Sequence, residues 1–302
     1  MKPDLLYQLD QRLREVKQVN KPFGGCCVLL FGDPCQLRPV CASFPWEEPQ
    51  NEKHKRSNMV EPIWDNFQPI ILRTNHRQGE DLEYATMLDR FRKGQFLDED
   101  LDVMRTRVTH INDPEIPEER MYIFAENTEV NQINDACLEA TEGELFTSKA
   151  RVEHRTNKGY KPRIANGGQV GNTNLQENLR FKIGSKVMLT YNLKVNDGLT
   201  NGALGVVMGV QTNSSGQLKE VHVHFSGKVG KETSSKFFPH LKEKYGVPCV
   251  AIHIMEQEYR ITKDNTGLKS TATAYNFPLK LAHAITAHKV KEMNSSLYYS
   301  NE

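Results

Sequence analysis

The feature that most constrains this chain is the apolar run "CCVLLF" at residues 26–31, closed by Gly32 and Asp33, with Gln36 three positions beyond the aspartate. Every position of that run is apolar, so neither alternating face suits water. The run therefore predicts a strand buried on both faces, as in parallel sheets. In open α/β sheets, ligands collect at the carboxyl ends of strands. A Gly-Asp at such an end turns the backbone sharply and offers a carboxylate to a cleft. Gln36 has an uncharged amide that can donate to a phosphate oxygen and orient a water. The same residues also make an ordinary turn, and on their own they leave both readings open.

The elements around the run support an α/β layer. Residues 4–18 carry Leu5, Leu6, Leu9, Leu13 and Val16 at helical spacing, with Pro3 suited to the first turn. "KPFGG" then breaks the chain. Residues 41–60 read as a long surface loop and "PIIL" at 69–72 as a short strand. Residues 80–93 predict a helix whose buried side is Leu82, Ala85, Met87, Leu88 and Phe91, stopped by Gly94. "MYIFAE" at 121–126 predicts another strand. The helix after it repeats Val130, Ile133, Ala136 and Cys137 at three and four.

The period then changes. Residues 181–192, 203–211 and 219–225 are β-rich and are split by the turn signals "NDGLTNG" and "NSSG". They predict a small barrel or sheet module. Asn201 and Gly202 read as turn formers. "FPLKLAHAITAHK" at 277–289 begins as a strand end and becomes a helix. A length of 302 residues fits about two domains.

The net charge of +1 makes no case for a polyanionic partner, but the distribution does. Between Lys149 and Lys186, nine basic residues face only Glu153 and Glu177, a surplus of seven. Such a stripe suits phosphates or, equally, a solvated loop rich in Gly and Asn. The six cysteines form no C-x-x-C pair and read as free, buried thiols in a reducing compartment. His222 and His224 alternate with Val221, Val223 and Phe225, which predicts the wet face of a strand rather than a metal pair. No run approaches the ~20 apolar residues of a membrane helix, and the first residues show no secretory signal.

Five ordered segments resemble the PIF family of DNA helicases. They are "GDPCQLRPV", "LRTNHRQGEDLEYATMLDRFRKGQ" (72–95), "AENTEVNQIN" (125–134), "LRFKIGSKVMLTYNLKVNDGLTNGALGVV" (179–207) and "FPLKLAHAITAHK". The resemblance implies an α/β fold in four parts. Residues 1–72 would be the C-terminal part of a first RecA-like motor lobe. Residues 73–180 would open a second such lobe, 181–269 would be a small barrel-like β insertion, and 270–302 would return to the second lobe. It implies an ATP-driven 5'-to-3' unwinding motor that uses ATP and Mg²⁺ and acts on single-stranded or forked DNA, in the nucleus or alternatively the mitochondrion.

Carried over by residue, the resemblance makes Gln36 the γ-phosphate sensor, with Gly32 and Asp33 shaping the cleft. Arg77 would reach the same phosphate with its forked cation. Thr286, His288 and Lys289 would meet single-stranded DNA. Within the basic stripe, Tyr160 would stack on a base beside Lys161 and Arg163.

Departures from the family shape the expectation for this chain. No G-K-[ST] phosphate loop occurs in it, and the acidic pair expected ahead of Pro3 is absent. "HKVKEMN" replaces the family's H-K-x-Q-G, and the arginine of the next motif does not arrive. Phosphoryl transfer rests on positioning and charge neutralisation. The expectation is a fragment or degenerate copy without useful ATPase activity, with an incomplete first-lobe sheet that is prone to aggregate. The rival expectation is a non-catalytic module that binds single-stranded nucleic acid.

Overall fold

A computed structural model describes residues 1–35, 43–54, 62–73, 81–109, 120–154, 164, 168–261 and 270–290. The chain divides into two compact units, Met1–Asp113 and Pro114–Glu302. Among the described residues, no helix is long and apolar enough to cross a membrane.

The first unit opens with helix α1 (Pro3–Lys17). Its inward face differs from the leucine stripe. Leu6 is buried, whereas Leu5, Leu9 and Val16 are exposed. The face turns inward around Asp10, which is 1% exposed. Asp10 accepts hydrogen bonds from the Phe23 backbone N–H (2.6 Å) and from Arg14 Nε (2.8 Å). A buried carboxylate needs such partners. Arg14 is one turn further along the helix, and Phe23 lies in the turn Pro22–Gly25, where Phe23 and Gly24 adopt left-handed φ. A Cβ on Gly24 would lie 2.6 Å from the Leu13 carbonyl oxygen, so the turn lies directly against the helix.

The expected strands at 26–31 and 69–72 are not strands. Among the described residues no ladder pairs with either, and an extended chain without a neighbour has no sheet to join. Cys26, Val28 and Leu30 pack on the Leu6–Phe23–Ile63 cluster, so only one face is covered. Leu29 and Phe31 on the other face are exposed, as are Ile70, Ile71 and Leu72.

Part of the 41–60 loop is held down. Asp4 accepts from the backbone N–H groups of Gln50 and Asn51 and meets His54 Nδ1 at 2.8 Å. Helix α2 (Leu82–Lys93) is capped by the Asp81 side chain and, as its sequence predicts, ends at left-handed Gly94. Met87 is its buried contact, while Leu82 and Leu88, expected on the same side, are exposed. Helix α3 (Asp98–Arg105) follows, with Asp100 accepting from Arg90 Nε at 2.7 Å.

The second unit begins with strand β1 (Tyr122–Phe124) and helix α4 (Asn127–Ala140). Next come β2 (Phe146–Lys149), β3 (Arg151–His154), β4 (Asn178–Phe181), β5 (Lys186–Leu189), β6 (Leu204–Thr212) and β7 (Leu218–Phe225). Helices α5 (Lys231–Phe237) and α6 (Pro239–Tyr245) precede β8 (Val250–His253), β9 (Met255–Ile261), β10 (Ser270–Asn276), β11 (Leu279–Leu281) and β12 (Ala284–Thr286). A five-stranded antiparallel sheet runs β11-β5-β6-β7-β8, beside a β3-β10-β9 sheet and a β2-β4 pair. The β-rich part therefore extends on both sides of residues 181–269. Its main core gathers Phe181, Val187, Leu189, Val207, Val221, Val223, Phe277 and Leu279. The whole is a mixed α/β fold.

Two expectations are corrected here. His222 is not on a wet face: it is 3% exposed, and its Nδ1 lies 2.8 Å from the Tyr245 hydroxyl. The α5–α6 segment supplies that tyrosine, and burial holds the His222 imidazole below its usual range. His224 Nδ1 meets the Pro248 carbonyl at 2.7 Å. The cysteines are not uniformly buried either. Cys249 is buried, but Cys27 and Cys35 are exposed, and Cys41 lies outside the described residues.

Candidate nucleic-acid interface

Strands β1 and β12 are parallel neighbours, with Tyr122 opposite Ala284 and Phe124 opposite Thr286. Their carboxyl ends therefore lie together. The chain leaves one end into the start of α4 and leaves the other as the helical turn at 287–290. This is the edge at which α/β sheets place their ligands.

Asn134 fixes the pair from α4. Its amide donates to the Ala284 carbonyl at 3.1 Å and its oxygen accepts the Ala284 N–H at 2.9 Å. The helical periodicity at Val130, Ile133, Ala136 and Cys137 missed it; the buried positions are Val130, Asn134 and Leu138. His283, just before β12, accepts the Lys186 backbone N–H on Nε2 at 3.3 Å. Burial, with the Lys186 charge nearby, pushes this imidazole down to about 4. The neutral ring is the form that can accept that bond.

Of the three DNA-facing candidates in the late segment, Thr286 closes β12 and is half-buried, and His288 is exposed. Lys289 is half-buried, and its Nζ donates to Asn201 Oδ1 at 2.8 Å. Asn201 in turn has its backbone N–H on Asn192 Oδ1 at 2.7 Å. Gly202 is a turn former, with φ 102° and its N–H on the Leu189 carbonyl. Asn201 does more than turn the chain: it joins two segments 88 residues apart.

The basic stripe is largely engaged where it is described. Arg151 pairs with Glu153 and lies over the Tyr275 ring, and Arg180 pairs with Asp135 at 2.6 Å. Lys182 donates to the Thr141 carbonyl, and Lys186 to that of Arg120. Tyr160, Lys161 and Arg163 lie outside the described residues, as do Gln36 and Arg77.

Among the described residues, nothing lies within 4 Å of where a Cβ on Gly32 would stand, and both oxygens of Asp33 have partners. One Asp33 oxygen accepts the Cys35 N–H at 2.9 Å, closing a local turn. The other meets Arg92 Nη1 at 3.1 Å. Among the described residues, no cluster of His, Cys, Asp or Glu has the makings of a metal site.

The sequence pattern of the PIF1-like helicase family matches residues 1–102, and that described as DNA helicase Pif1, 2B domain, matches residues 172–210. Over residues 1–102 and 172–210 the chain thus matches the PIF1-like helicase family, and it corresponds to part of the full helicase. It is 26% identical over 215 residues to the ATP-dependent DNA helicase PIF1 of Homo sapiens, a match covering 70% of this chain and 31% of that protein. To the ATP-dependent DNA helicase PIF6 of Trypanosoma brucei brucei it is 26% identical over 310 residues, covering 98% of this chain and 35% of the relative. The chain thus spans about a third of the length of these relatives. The structure of Bacteroides Pif1 helicase in complex with ADP-AlF3 and ssDNA shares its fold. The TM-score is 0.56 at 22% identity, covering 96% of this chain and 59% of that one.

Proposed function

We propose that this chain is part of an ATP-dependent 5'-to-3' DNA helicase and that its second unit supplies a grip on single-stranded DNA. The carrying observation is the parallel β1–β12 pair, whose carboxyl ends bring Thr286, His288 and Lys289 to one edge beside Asn201. On this reading the α/β parts are RecA-like lobes and the antiparallel sheet is the barrel-like 2B insertion. Gln36, Arg77, Gly32 and Asp33 serve a nucleotide pocket for ATP and Mg²⁺, while Tyr160, Lys161 and Arg163 add to the strand's path. Single-stranded and forked DNA are the partners, and the nucleus is the compartment, with the mitochondrion as alternative.

A second reading, a non-catalytic module that binds single strands, is favoured by Asp33. Both of its oxygens are taken up within the chain rather than held open for a cofactor. Both readings give the 302-residue chain affinity for single-stranded DNA and no useful ATPase activity of its own.

Fluorescence anisotropy with a labelled oligothymidine tests the grip. Binding should weaken with salt on a log–log line, and Lys289→Ala should cost roughly tenfold. Absence of salt-dependent binding would end both readings. DNA-stimulated ATP hydrolysis above that of a Gln36→Ala/Arg77→Ala variant would overturn the expected inactivity and exclude the non-catalytic module.

A further inference from the structure

The loop between β5 and β6 is pinned at several points. Thr190 N–H donates to the Pro278 carbonyl, Leu193 and Lys194 N–H to Leu199, and Gly202 N–H to Leu189. Leu199 is buried in the main core. Yet Tyr191 and Asn192 stand exposed on this loop, and Tyr191 is 39% accessible. Among the described residues, Tyr191 has no hydrogen bond and no ring contact.

The hydrogen-bond logic fixes two amides. A lysine ammonium has only donors, so the Asn201 group facing Lys289 Nζ is its oxygen. The Asn201 amide NH₂ is then turned away from the lysine. Asn192 likewise presents its oxygen to the Asn201 backbone N–H, which turns its own NH₂ outward. Neither NH₂ has a partner among the described residues. Two oriented donors and an accessible aromatic ring thus lie on one loop, with Lys289 brought beside them by its bond to Asn201. Unpartnered amide donors suit an acceptor-rich ligand, and an accessible ring suits a flat one. A single strand of nucleic acid offers both, through its phosphate oxygens and its base faces.

We propose that Tyr191, Asn192 and Asn201 form a single-strand docking site on the β-rich part of the chain, with Tyr191 stacking on a base and the two asparagine amides donating to the backbone. The site rests on the strand-binding reading above and adds residues that the late segment does not contain. In it Lys289 is a positioning residue for Asn201 as well as a cation.

The test is anisotropy of the 302-residue chain with fluorescein-labelled oligothymidine and with an abasic oligonucleotide of the same length. Tyr191→Ala should weaken oligothymidine binding about tenfold, and Tyr191→Phe should restore it. On the abasic probe Tyr191→Ala should change little, which a merely structural role would not produce. Asn201→Asp keeps an acceptor for Lys289 but removes the outward donor, and it should also lose about tenfold. Thermal unfolding followed by circular dichroism should be unchanged for both tyrosine variants. If the parent chain binds oligothymidine and Tyr191→Ala and Asn201→Asp bind it equally well, the docking site is overturned while the strand-binding reading stands. If the parent chain binds neither probe, both fall.

Discussion

Asn134 holds the backbone of Ala284 by both of its hydrogen-bonding groups, donating at 3.1 Å and accepting at 2.9 Å. The asparagine is 7% exposed, so water cannot easily replace either bond. Asn134→Ala leaves a buried N–H and a buried carbonyl without partners, and the expected loss is about 2–4 kcal/mol. Urea unfolding should show a lower midpoint. Because Thr286 ends the strand that Asn134 holds, affinity for oligothymidine should fall with it. An unshifted midpoint would mean that the strand is held by other means.

In the first unit, Asp10 should be the costliest polar residue to remove. Asp10→Ala strands the Phe23 N–H and leaves Arg14 without its carboxylate. A loss of about 1–3 kcal/mol is expected, because the buried Phe23 N–H loses its acceptor, while the part-exposed Arg14 keeps its bond to Asn20 Oδ1. Asp10→Asn should lose less, since an amide oxygen can still accept from Phe23. Paired thermal melts should rank the parent above Asn and Asn above Ala.

His283 makes a pH prediction. Its folded value of about 4 lies below that of a free imidazole, about 6.5. The unfolded chain therefore binds more protons between these values, and stability rises with pH across that window. The contribution is fully present above about pH 6.5 and is lost as pH falls towards 4. Its size is on the order of 3 kcal/mol. His283→Gln keeps a side-chain acceptor for the Lys186 N–H without titrating. Denaturation midpoints from pH 7.5 down to 4.5 should slope for the parent and flatten for this variant.

Local signals in the sequence were legible. Helix α2 stops where Gly94 predicts, because that cap acts within one turn of the helix. The faces of the helices were not. Leu5, Leu9 and Val16 share a periodicity, but the polar contact of Asp10 with a turn 13 residues on decides which side faces inward. His222 looked solvent-facing because Tyr245, which covers it, sits on a helix the strand pattern does not announce. The site divides in the same way. Thr286, His288 and Lys289 came from a contiguous motif. The partner of Lys289, Asn201, is brought in only by the fold, and local turn chemistry gave no sign of it.

The pairing of β1 with β12 has a consequence for biosynthesis. Tyr122 leaves the ribosome well before Ala284, its partner in the register, has been added. At about 5–20 residues per second, that interval is on the order of ten to thirty seconds. Throughout it the nascent chain carries an unmated strand and a helix whose inward-facing asparagine has nothing to hold. Recovery of folded protein should therefore depend on what shields that segment during translation.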